Sequence, residues 1–248
     1  MDFTNKTIRE IALEAPLTTR IFEELKIDFC CGGRVGFVEA CTNAGVDPTF
    51  VEARLEHLLA GSPEPGESAE QRTATELCEY IVATHHVFTR TELGRLVPLM
   101  EKVARKHGES HPELYPLQEK LTLLSDELLV HMEKEERVLF PYIKEIDAAV
   151  ANNGQASIPH FGTVKNPVRM MMFEHDAAGE LLRQMREYSS DYTTPEGACP
   201  SYAALYAGIE ALEKDLHQHI HLENNLLFVR AVEIENQLAA GSVAAASA

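Results

Sequence analysis

Two stretches decide the fold: Val130-His131-Met132-Glu133-Lys134-Glu135-Glu136-Arg137-Val138-Leu139-Phe140 and Gln218-His219-Ile220-His221-Leu222-Glu223-Asn224-Asn225-Leu226-Leu227-Phe228. Laid over one another they share the pattern H-x3-E-x3-L-F. A histidine and a carboxylate four residues apart sit one turn apart on the same helical face, so His131 with Glu135, and His219 with Glu223, can grip one metal centre. A single H-x3-E is more often a solvated ion pair; its repetition with a trailing Leu-Phe is what points to ligands. Both stretches lie inside long runs of apolar residues at 3–4 spacing. Four such runs cover about 70–107, 113–148, 166–190 and 199–236, broken at Gly108 to Pro112, at Asn152-Asn153-Gly154 through Asn166-Pro167, and at Thr194-Pro195-Glu196-Gly197. No stretch alternates strictly as a half-buried strand would. The pattern predicts an all-α protein built on an up-down four-helix bundle.

The first and third helices add one central histidine each. His86 precedes His131 by 45 residues and His175 precedes His219 by 44. The bundle therefore reads as two helix pairs, each delivering a lone histidine and a His/Glu pair, and together a pseudo-twofold site. Four imidazoles and two carboxylates suit a pair of borderline first-row cations, and helix-borne carboxylates can bridge two metals. His85, His217 and His221 flank these positions without the i, i+4 pairing; His57, His107, His111 and His160 read as surface. A ferritin-like centre needs Glu-x-x-His, and a zincin needs H-E-x-x-H; the sequence contains neither.

Working outward, Gly61-Ser62-Pro63-Glu64-Pro65-Gly66-Glu67-Ser68 cannot form a continuous helix, which places a linker at 61–70 between a module at 1–60 and the bundle at 71–236. The module carries short helical patterns from Thr7 to Leu13, from Thr19 to Leu25 and from Asp47-Pro48 onward. Between the second and third lies Asp28-Phe29-Cys30-Cys31-Gly32-Gly33, whose glycines require a tight turn. Residues 237–248, all small after Leu238, read as a disordered tail. Twenty-two basic against 39 acidic side chains in 248 residues give a net charge of −17, which argues against nucleic acid and anionic membrane partners. No apolar run spans a bilayer, and the first residues lack a signal peptide's basic and apolar regions. Five cysteines, an odd number, do not make a disulfide scaffold, and the chain reads as cytoplasmic. Cys41, Cys78 and Cys199 read as structural. Met170, Met171 and Met172 point in different directions on a helix and read as packing rather than a soft-metal cluster.

The D-F-C-C-G-G element ahead of this bundle resembles the RIC family, the di-iron proteins for repair of iron–sulfur centres. The resemblance spans roughly residues 3–230. It includes His-Met-x-Lys-Glu-Glu at 131–136, Leu-Phe-Pro at 139–141, Glu174-His175-Asp176-x-Ala178-Gly179-Glu180-Leu181 and Leu222-Glu223-Asn224-Asn225-x-Leu227-Phe228. It implies a hemerythrin-like bundle preceded by a small helical ScdA-N-like domain. The implied ligands are His86, His131, Glu135, His175, His219 and Glu223, holding two iron ions per chain with carboxylate and oxo bridges; the choice of His86 over His85 rests on the resemblance. Glu127 and Glu174 match family acidic residues near the site, with a role in proton or ion passage. Cys30 and Cys31 are implied to be an exposed thiol pair that handles nitric oxide equivalents or electrons, on a module free to swing toward the bundle. The implied function is repair of iron–sulfur clusters damaged by nitrosative or oxidative stress, by iron donation to the damaged proteins. Two alternatives stay open at this point: a hemerythrin-like O2 or NO binder or sensor, and an enzyme reducing nitric oxide at the di-iron site. A homodimer paired through the Cys-Cys module is open as well.

Overall fold

A computed structural model describes residues 3–60, 69–152 and 154–246. Four short helices open the chain: α1 (Ile8–Glu14), α2 (Thr19–Glu24), α3 (Phe37–Asn43) and α4 (Pro48–Ala60). Thr7 starts α1 with a capping box, its side chain accepting from the Glu10 amide while Glu10 reaches back to the Thr7 amide. Phe3, Phe22, Phe29, Phe37, Ile8, Ile11, Val51 and Leu55 close over one another as the module's core. Full burial of each phenylalanine contributes about 1.5–3 kcal/mol. Sequence patterning missed α3, although Phe37, Ala40 and Cys41 do sit at i, i+3 and i+4 on its buried face.

Four long helices follow. α5 (74–107) is capped by a second box at Thr73 and Glu76; α6 covers 114–151; α7 is Lys165–Tyr188; α8 covers 200–246. Helix α5 packs against α6 and α8, and α6 against α7. Three of the four are interrupted by a single π-helical stretch: Val82–His86 in α5, Glu135–Leu139 in α6 and Glu223–Leu227 in α8. Each stretch begins or ends on a residue that the sequence marks as a ligand. Such wide turns are rare and cluster at functional sites. Helix α8 runs on through Ala246, where a disordered tail was expected from 237. The alanines of that segment have the highest helix propensity of any residue. The linker at 61–70 falls outside the described residues except for its last two positions, which enter the 3-10 turn Ala69–Gln71.

The bundle has two apolar cores. One is built from Leu96, Met100, Leu121, Leu124, Leu182, Leu205 and Leu212, and the other from Leu77, Ile81, Phe140, Ile143, Val168, Leu227 and Phe228. Between them lies a layer of buried polar side chains, and every candidate ligand belongs to it. Met171 is buried in the second core with Met172 packed against it, whereas Met170 is exposed.

The N-terminal module is docked on the bundle rather than standing free. Glu23 Oε2 lies 2.7 Å from His217 Nδ1, Lys26 pairs with Asp191, and Arg9 donates to the Asn225 carbonyl at 2.7 Å. Lys26 and the run Ser190, Asp191, Tyr192 all have positive φ. These are costly conformations for residues other than glycine. Arg186 holds the second turn through Asp191 and by lying over the Tyr192 ring.

Candidate metal centre

The Nε2 atoms of four histidines and the carboxylates of two glutamates meet in the polar layer. They form two sets, His86, Glu135, His219 and Glu223, and His131, Glu135, His175 and Glu223, and within each set the ligand-type atoms lie within 4.8 Å of one another. All six residues are buried, none more than 3% exposed. His86 Nε2 sits 3.2 Å from His219 Nε2, and His175 Nε2 sits 3.0 Å from His131 Nε2. Two nitrogens bound at about 2.1 Å to one ion at right angles are about 3.0 Å apart. The glutamates belong to both sets. Glu135 turns Oε2 toward His86 and Oε1 toward His131, each at 3.4 Å. Glu223 turns Oε1 toward His219 at 3.0 Å and Oε2 toward His175 at 3.1 Å.

The outer nitrogens show which tautomers are present. His86 Nδ1 is 2.7 Å from Glu136 Oε1, His131 Nδ1 is 2.8 Å from Glu174 Oε2, and His175 Nδ1 is 2.8 Å from Asn224 Oδ1. Oxygens only accept, so each Nδ1 donates, and the neutral ring is left with its Nε2 lone pair facing inward. Those lone pairs converge on one another and on Glu135 and Glu223. Among the described residues, both Glu135 oxygens and Glu223 Oε2 have no hydrogen-bond partner of good geometry. A dry pocket of lone pairs demands positive charge, which metal ions or protons can supply. Burial alone would depress the imidazoles, yet Glu135 and Glu223 push His86 up to about 10, and Glu135, Glu223 and Glu174 push His131 up to about 9. Burial and mutual repulsion would raise the carboxylates, but the facing imidazoles hold both below the ordinary range. The donor set therefore fits two cations of borderline softness.

The pseudo-twofold relation extends past the ligands. His86 stacks on Phe140 and His175 on Phe228, so the repeated Leu-Phe supplies a wall for the opposite helix's histidine. Glu136 and Asn224 follow the ligand glutamates and serve equivalent rings. The symmetry then breaks. Glu174 supports His131, but its counterpart His85 bonds Asp215 at 3.0 Å and only stacks on His219, whose Nδ1 has no partner. His85, His217 and His221 remain outside both sets, with Asp215, Glu23 and the Phe29 carbonyl as their respective partners. Among the histidines read as surface, His57 and His160 are exposed, whereas His107 is half-buried with Nε2 3.1 Å from Cys199 Sγ. Sequence reasoning did not assign Glu136, Asn224, Asn225 or Arg9. Glu136 and Asn224 directly follow the glutamates of the repeated motif and Asn225 comes next, which was the available signal.

Glu174 and Glu127 line a cavity of about 390 Å³ that also touches His131, His175 and Lys134. Glu174 is additionally paired with Lys134, while Glu127 is exposed. A separate cleft of about 450 Å³, between module and bundle, is lined by Cys30, Cys31, Asp176, Glu213 and His217. Asp28 ties the thiol loop, its carboxylate accepting from the amides of Cys30 and Cys31 at 3.0 Å and of Gly32 at 2.9 Å. Gly32 and Gly33 are required for clearance and not for a positive φ: a Cβ would come within 2.9 Å of Asp28 Oδ2 and 2.7 Å of the Phe29 carbonyl, respectively. The expected exposed thiol pair is only half realised. Cys31 is half-buried, but Cys30 is buried, and the adjacent Cys31 thiol together with burial pushes its pKa well up, so Cys30 is a protonated thiol. Their sulfurs are 3.8 Å apart, with the Cys30 thiol donating to Cys31 Sγ and no disulfide between them.

Residues 79–231 match the hemerythrin HHE cation binding domain, and residues 4–59 match ScdA_N, a domain of unknown function. Two similar proteins, from Yersinia pseudotuberculosis serotype IB (strain PB1/+) and Yersinia pestis (strain Pestoides F), are each called iron-sulfur cluster repair protein YtfE. Each is 37% identical over 235 residues, covering 95% of this chain and 100% of the relative.

Proposed function

The chain belongs to the hemerythrin-type iron–sulfur cluster repair family, and from that premise we propose that it holds two iron ions in the polar layer of its bundle and donates iron to damaged clusters. The observation that carries this reading is the division of the Glu135 and Glu223 oxygens between two sets of histidine nitrogens. His86 and His219 would hold one ion and His131 and His175 the other, with Glu135 and Glu223 each offering an oxygen to both. Iron there is the cargo, bound by imidazole and carboxylate donors that grip iron(II) less tightly than the thiolates of a cluster protein, so transfer runs downhill.

The protein's own groups organise the exchange. Glu136, Glu174 and Asn224 fix three rings with their Nε2 atoms inward, so the site is shaped before metal enters. The cavity beside His131 and His175 gives the ions a way out past the carboxylates of Glu174 and Glu127. In this reading residues 71–236 form the metal-bearing domain and residues 1–60 the thiol-bearing one. Cys31, the more accessible thiol, faces the damaged protein or the nitrosative agent, with Cys30 protonated beneath it. No described helix is long and apolar enough to cross a membrane.

The test is iron content with the optical spectrum, on chain from iron-supplemented cells, followed by addition to a cluster enzyme inactivated with nitric oxide. Two irons per chain and recovered activity are expected. Zinc alone, or no metal after reconstitution, would sink the reading.

A further inference from the structure

Three consecutive residues of the π turn in α8 serve three different structures. Glu223 turns its two oxygens to the two histidine sets. Asn224 accepts from His175 Nδ1 at 2.8 Å. Asn225 turns toward the module: its Nδ2, 3.1 Å from His221 Nδ1 on its own helix, donates to the carbonyls of Phe29 at 3.1 Å and Cys30 at 3.3 Å, and its own carbonyl accepts from Arg9 at 2.7 Å. The thiol loop is thus held from both sides, its amides by Asp28 and its carbonyls by Asn225. All five residues of this turn are buried. A turn so enclosed cannot absorb a displacement of Glu223 by swinging a side chain into water, and a packed element tends to move as a unit.

The bundle's internal repeat supplies the contrast. The residue matching Asn225 in the π turn of α6 is Arg137, whose side chain is 75% exposed and pairs with Glu133. Glu135 and Glu136 repeat the roles of Glu223 and Asn224, so the two turns do the same work at the metal and at the supporting histidine. They differ at the third position, where one faces water and the other is buried under the cysteines. Bundle geometry alone does not require a buried amide there, since Arg137 occupies the equivalent place.

We propose that Asn225 is a positioning residue through which metal occupancy at Glu223 sets the reactivity of the Cys30–Cys31 loop. The proposal rests on the di-metal reading given above. Coupling of this kind runs both ways: metal that shifts the loop changes thiol reactivity, and a modification that shifts the loop changes metal affinity, with the equal-factor rule holding for the equilibrium affinities and not for the alkylation rate. A loaded chain and an emptied chain then present different thiol loops to a damaged protein.

The experiment measures the alkylation rate of Cys31 by iodoacetamide, read by peptide mass spectrometry on the full chain, metal-free and after anaerobic loading with iron(II). Metal content is determined on the same samples. About a fivefold difference in rate between the two states is expected. Asn225→Ala brings the two rates together while metal content holds. Asn225→Gln, which keeps an amide donor, restores part of the difference, and Arg137→Ala leaves all of it. Equal rates in a parent chain that has loaded iron overturn the coupling and spare the di-metal reading; so does a difference that survives Asn225→Ala. A chain that takes up no iron overturns both. Should Asn225→Ala fail to fold, the reciprocal measurement decides on the parent chain: iron affinity unchanged by prior Cys31 alkylation overturns the proposal.

Discussion

Glu136→Ala offers a test in which the two halves of the centre answer differently. In the native chain Glu136 Oε1 accepts from His86 Nδ1 and from Arg90 Nη1, each at 2.7 Å. The truncation removes the group that fixes the His86 tautomer and ring orientation. Loss of such a partner typically weakens metal binding 10–100-fold, or about 1.4–2.7 kcal/mol. His86 belongs to only one of the two sets, so the loss is expected at one ion and not at both. Competition with a graded chelator, following bound iron per chain, then changes shape. The first ion leaves at 10–100-fold lower chelator while the second leaves near its native midpoint. Folding is not the confounder, because Glu136 is about one-third exposed and its pair with Arg90 is worth at most about 1 kcal/mol. Glu136→Gln is expected to stay within a few-fold of native, since an amide oxygen does this same task for His175 through Asn224. Parallel release of both ions from Glu136→Ala at native midpoints would refute the reasoning, and so would a glutamine variant as weak as the alanine one.

Three further outcomes follow from the same geometry. Glu135→Leu and Glu223→Leu each remove a carboxylate shared by both sets, so both ions are expected to go; retention of two irons with full repair activity in either variant contradicts the bridging assignment. Metal uptake is expected to expel protons, because His86 and His131 are held at about 10 and about 9 and are charged at pH 7. Raised values mean the competing protons are bound below these pH values. Affinity therefore falls as pH drops, by about two log units per pH unit near neutrality, and calorimetry in two buffers of different ionisation enthalpy reads the two protons directly. Among Cys41, Cys78 and Cys199, thiol alkylation is expected to be fastest at Cys199, where the amide of Tyr202 at the start of α8, with that of Ser201, lowers the pKa, and slowest at Cys78, where burial raises it strongly. Cys41, pushed up to about 11 by burial, falls between; a reversed order in peptide mapping would count against the assigned environments.

Most of the bundle was legible because its signals are periodic and local. Four apolar patterns, their Pro and Gly breaks and the twice-written H-x3-E-x3-L-F fall close to α5 to α8, and the six expected ligands are the six that meet. What stayed hidden was long-range or irregular. The π turns leave no mark in hydrophobic spacing, since one extra residue per turn merely shifts the phase. Helix α3 is short and follows a glycine, which hid its buried face. The docking of the module depends on pairs far apart in the chain, such as Glu23 with His217 and Asn225 with Phe29, and no local pattern announces them. That contact is also why Cys30 is buried where an exposed thiol was expected.

The polar layer between two separate apolar cores has a bearing on turnover. Neither core includes a ligand side chain, so each end of the bundle is sealed by its own aliphatic and aromatic residues independently of the waist. Emptying the centre is then an event at the middle of an otherwise intact cylinder, and refilling needs no refolding. On the proposed iron-donating reading, this layout makes the site reloadable, because delivery of the ions leaves both cores in place.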